Sequence, residues 1–220
     1  MAAQQQTLNV KWLNQLNEQN VILASSSPRR KDILNNLGVR YSVVPSTFEE
    51  NLDKSLFPHP SDYVKENARQ KALEVYHRLK NTTGQAPYLV IGADTVVALG
   101  SQILEKPRSV QGAIDMLTSL SGSTHMVYTG VTLVAPSIDG SDEPRVFVDV
   151  EGTEVKMQIL SKELIEAYVA TGEPMDKAGA YGYQTTGGLL VKGINGCSWN
   201  VIGLPASKLF FMLEEFTSRK

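Results

Sequence analysis

The sequence is poor in the residues that build disulfide frameworks and zinc sites. Its 220 residues contain one cysteine, Cys197, and three histidines that lie far apart in the chain. A single cysteine excludes an internal disulfide framework, and the scattered histidines leave almost no support for a Cys/His zinc site. We therefore expect a reducing, cytoplasmic setting, with Cys197 as a packed thiol.

Long apolar runs and a strong net charge are absent as well. No stretch approaches the roughly 20 apolar residues of a membrane span. Residues 1–20 are rich in Gln and Asn and lack the apolar core of a secretory signal. The formal net charge is only -2, which disfavours a protein that coats nucleic acid. We expect neither a membrane nor a nucleic-acid partner, and any anion site must be local.

Three familiar nucleotide and hydrolase motifs are missing. The sequence has no Gly-x-x-x-x-Gly-Lys-Ser/Thr loop, which disfavours a P-loop NTPase. It also has no Gly-x-Ser-x-Gly elbow. The absence of a Gly-x-Gly-x-x-Gly pattern after the first predicted strand weakens the case for a nicotinamide cofactor.

A phosphate-binding pattern is present near the start of the chain. The apolar run at residues 21–24 is followed by SSSPRR at residues 25–30. Ser27 can cap a helix that begins at Pro28. The free amides of a helix start and the two arginines favour a bound polyphosphate. The plainer interpretation, a capped surface helix with two solvated arginines, leaves the extra serines and the paired arginines unexplained. The candidate phosphate-binding residues are Ser25, Ser27, Arg29 and Arg30.

Strand and helix signals alternate along the chain. We interpret residues 1–20 as a polar extension with a frayed helix around Trp12, and residues 21–220 as a single domain of two closely joined lobes. The interleaving predicts an α/β protein with a largely continuous core. The predicted strands lie at residues 21–24, 41–44, 88–99, 103–107, 124–135 and 145–158. The predicted helices lie at residues 28–37, 61–80, 109–120, 161–170 and 206–216, and Ser61 and Ser109 can cap the second and third of them.

Two charged residues fall where apolar residues are expected. Asp94 interrupts the apolar strand, and Lys71 lies on the apolar stripe of the long helix. A carboxylate in such a strand can orient a metal or accept a proton from water, or it can hold a structural hydrogen bond to Thr95 or to a backbone amide. Lys71 either snorkels with its stem buried or extends its ammonium to an anionic ligand. From these residues alone, both alternatives are open.

Three further residues gain interest only from their neighbours. Glu50 is one of two adjacent glutamates after a short strand, and such glutamates are most often solvated. Lys106 lies on the predicted strand after Asp94, where a hairpin can bring the two together. Gln184 ends the segment 176–184, whose glycines allow close backbone approach to a ligand, and its amide can read a base edge. Together with the arginines, these side chains could bind a triphosphate and its metal.

Taken in order, these segments resemble the Maf family of nucleoside triphosphate pyrophosphatases. The resemblance runs from about residue 21 to the C-terminus. Six or more blocks in the right order are highly specific, whereas any one of them is not. The matching blocks lie at residues 23–30, 49–50, 68–72, 92–97, 104–107, 125–130, 172–184 and 200–205.

The resemblance implies hydrolysis of a nucleoside triphosphate between its α and β phosphates, with release of the monophosphate and pyrophosphate. It implies an elongated mixed sheet flanked by helices, with a central cleft, of the Maf and ITPase-like type. It also implies a divalent metal, Mg²⁺ or Mn²⁺, and a homodimer. By matching position, Asp94 would activate water, Lys71 and Lys106 would add positive charge, and Glu50 with Asp94 would hold the metal. The phosphates would be cradled by Ser25, Ser27, Arg29 and Arg30.

Base preference follows from two positions in the same resemblance. Thr95 and Gln184 look like the branch that prefers dTTP and UTP, because an amide can pair with the carbonyl and imide edge of thymine or uracil. The branch resembling 7-methyl-GTP pyrophosphatases carries Gln after the Asp and an aromatic residue at the position of Gln184. Three alternatives stay open: a 7-methyl-GTP preference, a non-catalytic nucleotide-binding regulator of growth or division, and a phosphatase that releases single phosphates.

Overall fold

The computed structural model describes residues 8–218 and contains seven strands and seven α-helices within that range. The strands are β1 (Val21–Leu23), β2 (Ser42–Val43), β3 (Leu89–Leu99), β4 (Gln102–Leu104), β5 (Thr124–Ala135), β6 (Arg145–Met157) and β7 (Val191–Asn195). The helices are α1 (Lys11–Leu16), α2 (Pro28–Asn36), α3 (Pro60–Thr83), α4 (Val110–Leu120), α5 (Lys162–Ala170), α6 (Ser198–Ile202) and α7 (Ala206–Ser218). Short 3-10 segments lie at Lys54–Leu56, Glu173–Asp176, Ala178–Ala180 and Thr186–Leu190.

All seven strands join one mixed sheet, flanked by helices. The strand order is β2-β1-β3-β5-β6-β7, and β4 pairs with the far end of β3. β1 runs parallel to β2 and β3, and the other neighbours are antiparallel. The mixed α/β fold predicted from the interleaved pattern is confirmed. β7 and α6 were missed, because the sequence there reads as a glycine-rich segment.

Two glycines let α3 lie unusually close to the sheet. A Cβ on Gly92 would come within 2.5 Å of the Ala68 carbonyl oxygen, and a Cβ on Gly130 within 2.4 Å of the Val64 carbonyl oxygen. Gly130 is also the register partner of Asp94. Side chains directly opposite in an antiparallel pair share one face, so the missing Cβ opens the face to which Asp94 points. The glycines thereby bring Lys71 of α3 down onto Asp94.

Two large apolar clusters lie on either side of the place where α3 packs against Gly92 and Gly130 of the sheet. The first core cluster includes Leu23, Leu34, Leu89 and Leu209, and the second includes Val97, Leu117, Val155 and Tyr168. β3 belongs to both, because Ala93 lies in the first and Val97 in the second. Asp94 and Thr95 therefore lie where one cluster ends and the other begins. The division of the chain at residue 20 stays a prediction.

The segment before β1 is packed rather than frayed. Leu13 and Leu16 of α1 are fully buried in the first core cluster, and Trp12 stacks edge-on against Phe210 of α7 with ring centroids 4.7 Å apart. Residues 1–7 of the predicted polar extension lie outside the described residues. No helix within residues 8–218 is long and apolar enough to cross a membrane.

Two predicted helix caps differ from the structure. Ser27 occupies the N-cap position of α2, but its hydroxyl makes no capping hydrogen bond with any described residue. α3 begins at Pro60 instead of after Ser61, because the His59 ring accepts the Ser61 amide and Pro60 takes the first helical position. The cap predicted at Ser109 is confirmed, since its hydroxyl accepts the amide of Gly112.

Candidate active site

The centre of the site is a lysine held between two carboxylates. The Lys71 ammonium lies 2.7 Å from Asp94 Oδ1 and 2.8 Å from Glu50 Oε2. Lys71 and Asp94 are buried, at 8% and 6% exposure, whereas the Glu50 side chain is 47% exposed. The structure thus brings together three residues that are 21 to 44 positions apart in the sequence. The Lys71 side chain does not snorkel to solvent, because its ammonium forms ion pairs with both Asp94 and Glu50.

Burial and neighbouring charge act differently on the two carboxylates. Burial raises the pKa of Asp94, and the favourable charge of Lys71 only partly opposes it. Burial also works to raise the pKa of Glu50, but the ammonium groups of Lys71 and Lys106 outweigh it and leave the pKa below its ordinary value. Two carboxylates with opposite pKa shifts in one cleft can divide their tasks, the more basic one accepting a proton.

Arg30 is anchored by the protein itself. Its guanidinium donates to the Gly203 carbonyl at 2.9 Å, to Ser25 Oγ at 3.1 Å and to Thr95 Oγ1 at 3.1 Å. The Thr95 hydroxyl also contacts the Thr129 hydroxyl at 2.9 Å. Burial lowers the pKa of Arg30, and the charge of Asp94 opposes that effect. Thr95 therefore reaches the site through Arg30, so its predicted influence on base choice stays a prediction.

Arg29 points across the cleft instead. Its guanidinium pairs with Asp176 Oδ2 at 2.8 Å and also donates to the Asp176 carbonyl at 3.2 Å. Asp176 is bound a second time by the Lys177 ammonium at 2.6 Å. Burial tends to raise the pKa of Asp176, but the bonds from Lys177 and Arg29 reverse the effect and lower it to about 2. This exposed carboxylate thus forms ion pairs with two cations, Arg29 and Lys177, in the mouth of the cavity.

The site opens into a cavity of about 640 Å³ lined by all ten predicted site residues. Lys106 follows β4 instead of lying on it, and the hairpin still brings it to this cavity, as predicted. Arg108 also lines the cavity, and sequence reasoning missed it because it lies one residue beyond the matching block at residues 104–107. Neither Lys106 nor Arg108 has an ion-pair partner among the described residues, so both can meet an anionic ligand.

The glycines of the glycine-rich segment pack closely against the protein's own atoms, and Gly182 also lines the cavity. A Cβ on Gly182 would lie 2.4 Å from Lys177 Cε, and one on Gly187 would lie 2.4 Å from the Tyr168 hydroxyl. A Cβ on Gly179 would lie 2.7 Å from Val97 Cγ2. The protein's own atoms fill these spaces, and the approach of a ligand to this backbone stays a prediction. Gln184 is exposed on this segment and lines the cavity.

Glu50 and Asp94 fit a divalent cation that takes some of its ligands from the protein and the others from the substrate. Glu50 and Asp94 present carboxylate oxygens at one point, which are the ligands that Mg²⁺ and Mn²⁺ prefer. Among residues 8–218, no three His, Cys, Asp or Glu side chains converge on a metal position. A cation bound here would take its remaining ligands from phosphate oxygens and water, as is usual for Mg²⁺ in phosphoryl-transfer sites.

Proteins of similar sequence match most of this chain. The family described as Maf-like protein matches residues 20–216. A human protein named "Probable bifunctional dTTP/UTP pyrophosphatase/methyltransferase protein" is 50% identical over 194 residues, which are 88% of this chain and 31% of the human protein. The chain thus spans less than a third of that relative's length. A Clostridium perfringens protein named "dTTP/UTP pyrophosphatase" is 45% identical over 196 residues, 89% of this chain and 96% of that protein.

Solved structures also match at low similarity. The structure of a HAM1 protein from Coxiella burnetii aligns with a TM-score of 0.45 and 17% identity, covering 90% of this chain and 99% of its own. That likeness is too distant to bear on function. The family match spans nearly the whole chain, and relatives at 45 to 50% identity cover most of it. The chain therefore belongs to the Maf-like protein family, as the sequence motifs predicted.

Proposed function

We propose that this protein is a nucleoside triphosphate pyrophosphatase that hydrolyses dTTP and UTP to the monophosphate and pyrophosphate. The observation that carries the proposal is the buried Lys71, held between Asp94 and Glu50 in a cavity lined by cations. The names of the relatives at 45 to 50% identity support the choice of substrate. A regulator that only bound nucleotide would not need a buried, basic carboxylate beside its phosphate site.

In the proposed reaction, Asp94 accepts a proton from the attacking water. The water oxygen bonds to the α-phosphorus, the bond from that phosphorus to the bridging oxygen breaks, and pyrophosphate leaves. Burial supports this role because it raises the pKa of the Asp94 carboxylate and so strengthens it as a base. The hydrogen bond from Lys71 to Oδ1 orients the Asp94 carboxylate in the cavity.

The basic residues of the cavity would bind the triphosphate and stabilise the leaving group. Lys106 and Arg108 are exposed and unpaired within the described part of the chain, so they can bind phosphate oxygens without breaking a contact. Arg29 can do so after exchanging Asp176 for phosphate. Arg30 acts more rigidly, since Ser25 and the Gly203 carbonyl already hold it. Preorganised positive charge of this kind lowers the barrier to phosphoryl transfer.

The metal belongs to the same proposal. Glu50 and Asp94 are the residues that would hold it, and Mg²⁺ or Mn²⁺ bound there would offset charge on the phosphate oxygens. The carboxylates would then exchange part of their contact with Lys71 for the cation. Gln184 is assigned to the base, because its exposed amide makes no hydrogen bond with any other described residue and lines the cavity. The homodimer and the cytoplasmic setting remain part of the proposal.

Product analysis tests the proposed reaction directly. Purified protein with Mg²⁺ or Mn²⁺ is incubated with dTTP, UTP, CTP, GTP and 7-methyl-GTP, and the products are separated. We expect pyrophosphate and the monophosphate in equal amounts, fastest from dTTP or UTP. Release of orthophosphate would instead identify a phosphatase, and turnover of 7-methyl-GTP alone would overturn the base assignment. Binding without any product would favour the regulator.

The Asp94→Asn variant is the control for the chemistry. We expect a loss of about 10²- to 10⁴-fold in kcat, the contribution typical of a general base. Circular dichroism and the melting temperature establish that the variant is folded. Near-normal turnover of a folded Asp94→Asn protein would remove Asp94 from the role of base.

A further inference from the structure

Glu173, which does not line the cavity, is the centre of a hydrogen-bond cluster. One of its carboxylate oxygens, Oε1, accepts hydrogen bonds from the Tyr168 hydroxyl at 2.9 Å, from the Gly187 amide at 3.1 Å and from the Thr185 hydroxyl. Burial would raise the pKa of Glu173, but these donors outweigh it and the pKa lies below its ordinary value. Glu173 is therefore an ionised acceptor with three converging donors.

These donors hold both ends of one short loop. We call residues 182–187 the Gln184 loop. The Tyr168 hydroxyl accepts the Gly182 amide at 3.1 Å and donates to Glu173, so it links the start of the loop to the carboxylate. Thr185 and Gly187 tie the later part of the loop to the same oxygen. Gln184 is thus flanked on both sides by residues bonded to Tyr168 or Glu173.

The loop has little freedom to adopt another shape. A Cβ on Gly187 would lie 2.4 Å from the Tyr168 hydroxyl and 2.7 Å from the Gly182 amide nitrogen, and one on Gly188 would lie 2.4 Å from the Tyr183 carbonyl oxygen. The backbone is therefore packed against itself and against Tyr168. Within the loop, Gly182 and Gln184 line the cavity, and the loop backbone sets the point from which the Gln184 side chain extends into it.

From this arrangement we propose that Glu173 is a positioning residue for base selection, holding the Gln184 loop so that its amide meets the pyrimidine edge. The inference rests on the proposed function, in which Gln184 reads the base. Glu173 does not line the cavity and acts through the loop alone. An ionised acceptor suits this task, because bonds to a carboxylate are stronger than those between neutral groups and fix the loop more firmly.

The test measures base preference in a double-mutant cycle. The ratio of kcat/KM for UTP to that for CTP is measured in Glu173→Ala, Gln184→Ala and the double variant. We expect each single change to lower the ratio about ten-fold, the loss of roughly one net hydrogen bond's worth of discrimination. The ratio in the double variant should be no lower than in Gln184→Ala, because Glu173 acts on base choice through Gln184. Glu173→Gln keeps an acceptor oxygen and should recover part of the ratio, whereas Glu166→Ala on the exposed face of α5 should leave it unchanged.

Amide hydrogen exchange provides a readout that does not depend on turnover. The amides of Gly182 and Gly187 should exchange faster in Glu173→Ala and in Tyr168→Phe, while those of β3 should not change. Additive effects in the cycle, or an equal loss of activity on every triphosphate, would overturn the positioning role. If the unmodified protein hydrolyses no triphosphate, the proposed function fails by itself. Hydrogen exchange would then still test whether Glu173 restrains the Gln184 loop. Unchanged exchange of the Gly182 and Gly187 amides in Glu173→Ala would refute that restraint.

Discussion

Acidification should destabilise this protein through one buried histidine, His125. The ring is 2% exposed and lies edge-on to Tyr181, whose hydroxyl is 2.8 Å from His125 Nε2. The other ring nitrogen, Nδ1, has no hydrogen-bond partner within residues 8–218. A proton added to this ring would place a charge in an apolar cluster with an unpaired N–H group. Burial accordingly lowers the pKa of His125 from 6.5 to about 4.

The sign and size of the effect follow from that difference. Since the folded protein binds the proton only near pH 4 and the unfolded chain already binds it near pH 6.5, stability falls as the pH decreases through this window. The two pKa values are about 2.5 pH units apart, which corresponds to about 3 kcal/mol of unfolding free energy when the pH is below both. At pH 5 the expected loss, relative to pH 7.5, is about 2 kcal/mol.

Urea unfolding of the unmodified protein and of His125→Gln at pH 7.5, 6 and 5 measures this contribution. Gln does not titrate and can still bond to the Tyr181 hydroxyl, so the difference between the two proteins cancels the titration of the carboxylates. We expect the stability advantage of the unmodified protein over the variant to fall by about 2 kcal/mol between pH 7.5 and pH 5. Parallel losses in the two proteins would refute the reasoning, because His125 would then titrate equally in the folded and unfolded states.

Two further predictions concern the residues that build the site. Gly130→Ala should cost about 1 to 3 kcal/mol of stability, because its Cβ would lie 2.4 Å from the Val64 carbonyl oxygen and α3 would have to shift. Thermal unfolding measures this loss of stability. The control is Gly193→Ala, where no described atom lies within 4 Å of the added Cβ. Lys106→Ala and Arg108→Ala should each raise KM for UTP about ten-fold, because each removes one charge-assisted hydrogen bond to phosphate. Lys192→Ala should leave KM unchanged. An unaltered KM in both Lys106→Ala and Arg108→Ala would show that these two cations do not bind the substrate.

Elements with strong local signals could be predicted from the sequence. The apolar run at residues 88–99 became β3, and the alternating stretches beginning at residues 124 and 145 became β5 and β6. Helix α4 began after Ser109 as its cap predicted. These signals depend on neighbours in the chain, which is why they survive without knowledge of the fold.

Pairings between distant residues could not be predicted in the same way. The apolar stripe of α3 showed that Lys71 faces the core, but only the packing of α3 on Gly92 and Gly130 shows that its partner is Asp94. The position of Thr95 predicted an influence on base choice, but it did not predict that the Thr95 hydroxyl accepts a hydrogen bond from Arg30. The bonds from Arg29 to Asp176 join residues 147 positions apart, a separation at which no local pattern informs.

The site depends on contacts that join the two core clusters. The arginines that are predicted to bind phosphate begin α2, whose Ile33 and Leu34 pack in the first core cluster, while Tyr181, next to the Gln184 loop, packs in the second. β3 passes between the clusters and supplies Asp94 at the boundary. The pair between Arg29 and Asp176 crosses the cleft mouth from α2 to the segment before Gln184. In the proposed function, triphosphate oxygens would compete with Asp176 for Arg29, so substrate binding would change this contact between α2 and the segment that precedes Gln184.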